Sequence, residues 1–135
     1  MTNLLIVFFF LINYALFSFS GKGSGTETDP YQITTMAELQ EMDQTYETSY
    51  IIMNDLDATD FDLFILILGK GTILNGNGHI IKHLKSCGLV DLCNGCNIKK
   101  LGIEYDTVHC QRGAGFVHYI ESKASYLNVI IVEFL

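Results

Sequence analysis

The stretch GTILNGNGHIIKHL, residues 71–84, sets two Asn-Gly steps back to back between apolar pairs. Asn-Gly flanked by hydrophobic runs is the strongest local signal for a β-hairpin turn. The same dipeptide suits any sharp corner, because Asn and Gly both tolerate left-handed backbone. A hairpin would make the flanking segments antiparallel neighbours, whereas a corner would send them to different sheets. The rest of the chain decides between the two.

Working outward, short strands broken by Gly, Asn and Asp recur on both sides. Tyr31-Gln32-Ile33, Tyr50 to Met53, the apolar run Phe61 to Leu68 closed by Gly69, Thr72-Ile73-Leu74 and Ile80 to Leu84 all read as strands. One segment has a different period. Met36, Leu39 and Met42 recur three apart, Thr35 precedes them, and Glu38 stands three after Thr35. That spacing predicts a capped amphipathic helix near 35–43.

Two later pieces resemble each other. Residues 88–103 and 115–129 each open Gly-large-Val and close on Leu-x-aliphatic. Gly88 maps to Gly115 and Leu101 to Leu127, while Leu84 reads as the equivalent of Leu101 one coil earlier. Irregular repeats of roughly 20 to 30 residues with a Gly or Asn corner indicate a solenoid. One coil cannot bury its inner face alone, so coils stack in parallel. The Asn-Gly pair is therefore read as a solenoid corner.

The chain has 135 residues, one proline and no tryptophan, and amounts to one domain. Leu4 to Phe17 is apolar except for Asn13, and Ser18-Phe19-Ser20 places small residues where a leader peptidase reads. Residues 1–20 read as a secretory signal peptide cut after Ser20, although Met1-Thr2-Asn3 carries no Lys or Arg. A retained membrane anchor and a buried strand or helix are the alternatives. Residues 21–29 form a polar, Gly-rich lead, and 30–135 the domain. From Gly21 to Asp62 one lysine faces ten acids, and Lys99-Lys100 is the only adjacent basic pair. Nucleic acid needs a positive patch, so it is not an expected partner.

The segments GSGTETDPYQITTMAELQEM (23–42), YIIMNDLDA (50–58) and GTILNGNGHIIKHL resemble the opening of surface proteins that carry GLUG repeats. The resemblance spans about Gly23 to Val129, but Asp91 and His118 stand where that family usually has a second Gly. It implies an all-β fold, a right-handed parallel β-helix with a short N-terminal capping helix; the chain has room for about three to four coils. It also implies a secreted or surface-displayed, adhesin-like role without catalysis, with a polysaccharide or another surface protein as partner.

Several clusters bear on chemistry. Asp55, Asp57, Asp60 and Asp62 suit turn bonding to backbone amides, a calcium site, or the paired carboxylates of a polysaccharide lyase or hydrolase. Turn chemistry is the leading reading; no catalytic residue and no resident cofactor is expected. Cys87, Cys93, Cys96 and Cys110 suit two disulfides with three connectivities, buried thiols, a zinc site with His79, His83 or His109, or a redox pair. Tyr105, Tyr119 and Tyr126 are candidates for a carbohydrate-stacking ladder, against ordinary strand packing. The apolar end, Val129 to Leu135, suits self-association through an uncovered strand edge.

Overall fold

Twelve strands are described: Tyr31–Ile33 (β1), Ser49–Ile52 (β2), Leu56–Asp57 (β3), Leu66–Leu68 (β4), Ile73–Asn75 (β5), Ile80–Leu84 (β6), Val90–Cys93 (β7), Asn97–Lys99 (β8), Gly102–Tyr105 (β9), Val117–Ile120 (β10), Ser125–Leu127 (β11) and Ile130–Glu133 (β12). Met36–Glu41 (α1) is the one helix among the described residues. These come from a computed structural model that describes residues 18–42, 45–61, 66–86 and 88–106, and as backbone 117–120, 125–127 and 130–133. Residues 1–17, on which the signal-peptide reading mostly rests, and Asp62, Cys87, His109, Cys110 and Arg112 lie outside the described residues.

The strands form three short sheets, and every strand pair is parallel. One sheet runs β1-β2-β5-β8-β11, a second β4-β7-β10, and a third β3-β6-β9-β12. From β2 onward the chain visits the first, third and second sheets in strict rotation. The protein is thus all-β, built mostly of parallel strands with little helix.

β5 pairs with β2 and β8, and β6 with β3 and β9, so Asn75 to His79 joins two different sheets and is no hairpin. Asn77 and Gly78 both take left-handed backbone, with φ of 55° and 82°. Asn75 Oδ1 accepts from the Asn77 N–H at 3.0 Å and closes the corner locally. The Gly76 and Gly78 N–H groups donate to the Lys99 and Lys100 carbonyls of the next corner, each at 2.8 Å. A side chain at Gly76 would strike the Lys100 carbonyl and the Leu101 backbone. Gly76 therefore serves close approach and Gly78 serves φ.

Parallel register stacks like on like inside. Leu56, Ile81 and Ile103 are Cα partners down the third sheet, all buried. Tyr50, Leu74 and Ile98 do the same in the first sheet, and Leu68 pairs with Cys93 in the second. Burying each such side chain contributes about 1.5–3 kcal/mol, so the inner columns hold the layers together. The polar groups buried among them are bonded: Thr72 Oγ1 donates to the Thr45 carbonyl and Ser86 Oγ to the Gly88 carbonyl, both at 2.8 Å.

The helix forms where its capping box predicts. Thr35 accepts from the Glu38 N–H at 3.1 Å, and the Glu38 carboxylate accepts from the Thr34 and Thr35 N–H groups. Partial burial pulls the Glu38 pKa upward, but these bonds outweigh it and leave the carboxyl below its usual range. Met36, Leu39 and Met42 all face the core.

Two expectations need correction. The repeat register places Leu127 on Lys99, not on Leu101, because Leu101 is a buried corner residue rather than a strand residue. Leu84 is the partner of Tyr105, not the equivalent of Leu101. The Gly-rich lead, residues 21–29, is a loop fastened to the strands: the Gln32 N–H donates to the Lys22 carbonyl at 2.7 Å and the Ser49 N–H to the Gly25 carbonyl at 2.8 Å. The pairing of Val90 with Val117, by contrast, has the 27-residue spacing read from Gly88 and Gly115.

Candidate functional site

Charged groups gather on the outward side of the third sheet. Asp57 is the Cα partner of Lys82, and Glu104 stands next along that face. Between Ile81 and Leu84 the register slips, so Lys82 and His83 together oppose Glu104. This is a β-bulge, and it turns His83 into left-handed backbone with φ of 58°. His is among the few types enriched there.

Rotated by the bulge, His83 sets Nδ1 3.1 Å from Asp106 Oδ1. That bond raises the His83 pKa above the ordinary imidazole range; the nearby charges of Asp106, Asp57 and Glu104 add to it and partial desolvation subtracts. A raised pKa means the pair's contribution is complete below the ordinary imidazole pKa and disappears as pH rises through the raised one.

On the same face, two residues before Asp57, Asp55 ties two layers. Its Oδ1 accepts from the Ile80 N–H at 3.1 Å and lies 3.3 Å from His79 Nδ1, while Lys82 Nζ sits 3.1 Å from Oδ2. The Ile80 bond, then the Lys82 bond, hold the carboxyl below its usual range. Asp57 accepts from the Thr59 hydroxyl and from the Thr59 N–H at 2.9 Å, and these bonds lower its pKa likewise. Asp57 thus makes the local turn bonds read from the sequence, whereas Asp55 bonds across to Ile80 and Lys82 of the neighbouring strand. Asp60 is exposed beside them, and Asp62 lies outside the described residues. No group of three or more His, Cys, Asp or Glu converges as a metal site among the described residues.

No family model, curated protein or solved structure matches the chain.

The cysteine pattern resolves in part. Cys93 ends β7 and Cys96 precedes β8; they are joined by a disulfide, with Cα atoms 5.5 Å apart and both side chains buried. Gly95, at φ of 66°, makes the turn between them. Cys87 and Cys110 lie outside the described residues.

The tyrosine ladder is not formed. Tyr105 is 2% exposed and packs in the core, so its ring is closed to a ligand. Tyr105, Tyr119 and Tyr126 also belong to β9, β10 and β11, which lie in three different sheets. The side chains of Tyr119 and Tyr126 lie outside what is described. Instead Tyr46, 66% exposed, and Met53 are the large exposed hydrophobics among the described residues. Tyr46 lies against Gly69, which leaves no room there for a side chain.

Sequence reasoning missed the His83–Asp106 pair and the exposure of Tyr46. The bulge did leave a trace: the buried residues Ile81 and Leu84 are three apart, where a regular strand would bury every second residue. Nothing local marks Asp106 as its partner, because the contact spans 23 positions and depends on layer register.

Proposed function

We propose that the chain is a right-handed parallel β-helix of the GLUG-repeat, pectin-lyase-like kind, secreted or surface-displayed, acting in adhesion or structural display. The observation that carries this reading is the strict rotation of strands through three parallel sheets. Crossovers between parallel strands of one sheet are right-handed in about 98% of cases, which favours that hand. A stack of this kind buries its inner columns and leaves each outer face free for recognition.

Carbohydrate is the ligand class this reading favours, with two features to offer it. The outward face from Asp55 to Asp106 is rich in paired donors and acceptors, and Tyr46 supplies an exposed ring. Aromatic faces and fixed polar groups together suit sugar recognition. Calcium at the aspartates and a covering second copy of the chain belong to the same proposal. β10, β11 and β12 are the outermost strands of their sheets among the described residues, and such edges template pairing.

The alternative is a polysaccharide lyase or hydrolase or its inactive remnant. General acids in such enzymes have raised pKa values, whereas Asp55 and Asp57 are both held below the usual range. Incubating the purified chain with neutral and acidic polysaccharides separates the readings. Retention without shortening of the polymer is the expected result, weakened by Tyr46→Ala. Shortened products lost in Asp55→Asn or Asp57→Asn would overturn the non-catalytic reading.

A further inference from the structure

The leader reading places a cut after Ser20, yet residues on the discarded side of that bond are packed into the domain. The Phe19 ring lies 4.7 Å from Tyr31 and 5.5 Å from Tyr50, centre to centre, and Tyr31 and Tyr50 are 5.7 Å apart. Such triads form one apolar unit, and Tyr50 is almost wholly buried within it. Ser20 donates twice to the Glu41 carboxylate, from its N–H at 2.8 Å and from Oγ at 2.6 Å. Glu41 ends α1, a position where the helix dipole disfavours an anion and where no basic residue stands. The Ser20 bonds are what that carboxylate gains there.

Gly21 completes the arrangement. A side chain on it would collide with the Gln32 carbonyl on one side and the Phe19 ring on the other. The chain is therefore threaded between β1 and the Phe19 ring, and the Gln32 N–H bond to the Lys22 carbonyl fastens the next residue. Phe19, Ser20, Gly21 and Lys22 act together as a cover over the β1–α1–β2 end of the first sheet.

We infer that Phe19 and Ser20 belong to the mature domain, so that any proteolytic processing of the leader spares them. Hydrolysis by a leader peptidase consumes one water and leaves a carboxylate on the leader and an α-amine on the product. Placed after Ser20, that step would strip the ring from Tyr31 and Tyr50 and leave Glu41 without its donors. Placed ahead of Phe19, or not made at all, it leaves the cover whole.

The test is to express the full chain with its own leader in a secreting host and determine the N-terminus of the folded product. A product that still contains Phe19, whether processed upstream or carrying the whole leader, is expected; one that begins at Gly21 overturns the inference. In the same host, Phe19→Ala in the full chain is read by trypsin cleavage after Lys22. Loss of the ring contacts speeds that cut by about tenfold. An unchanged rate shows that Phe19 holds nothing down and also overturns it.

Discussion

Two corners of the molecule join the same pair of sheets with different chemistry. Gly76 to His79 leads from β5 to β6, and one layer on Lys100 and Leu101 lead from β8 to β9. The two corners lie against each other through the bonds from Gly76 and Gly78 to the Lys99 and Lys100 carbonyls. Each contains a non-glycine residue in left-handed backbone, Asn77 at φ 55° and Lys100 at φ 53°. In the first, residue type favours the conformation, since Asn bonds locally and Gly has no Cβ. In the second, a lysine adopts it without local help and the layer beneath holds it there. A corner can thus be set by its own sequence or imposed by its neighbour, and only the first kind is visible before the fold is known.

Gly76 is the most sensitive position in the two corners. Gly76→Ala pushes a Cβ into backbone of the neighbouring corner, which cannot swing aside as a side chain would. A loss of about 3 kcal/mol by denaturant unfolding is expected. Gly78→Ala meets open space and pays only for its positive φ, so about 1 kcal/mol is expected from the same measurement. If the two substitutions cost the same, close approach is not what selects Gly76.

Lys100 sharpens the contrast from the other side. Lys100→Asn gives the second corner a residue suited to left-handed backbone, and a gain of up to about 1 kcal/mol is expected. A loss would show that the lysine side chain itself contributes to the corner.

The bulge gives a smaller effect, expressed as pH dependence. Asp106→Asn removes the partner that raises the His83 pKa, so the imidazole titrates at lower pH in an NMR titration. The thermal midpoint of the unsubstituted chain exceeds that of the variant most below the ordinary imidazole range. The difference closes as pH rises through the raised pKa of His83. A gap that widened with rising pH would contradict the pairing.

How much of this was legible follows the same division. Asn75 to Gly78 and the Thr35–Glu38 capping box were readable because each motif closes its own hydrogen bonds within four residues. The two-residue β3 was not, since so short a strand shows no alternation. Leu101 looked like a strand residue because it opens the Leu-x-aliphatic pattern that closes the repeat, but it is a corner residue turned inward. Tyr105 stood open between a stacking ladder and ordinary strand packing, and alternation along β9 sends it inward. Of the candidate site, Asp55 and Asp57 were found by composition, whereas His83 and Asp106 meet only through layer register.

The central claim is that the Asn-Gly corner joins parallel strands in different sheets. Backbone nuclear Overhauser contacts in the labelled chain test it most directly. The account predicts contacts that link Ile73 to Asn97, Leu74 to Ile98 and Asn75 to Lys99. Contacts linking Asn75 to Ile80 and Leu74 to Ile81, the pairs of an antiparallel hairpin closed by Asn77-Gly78, would contradict it.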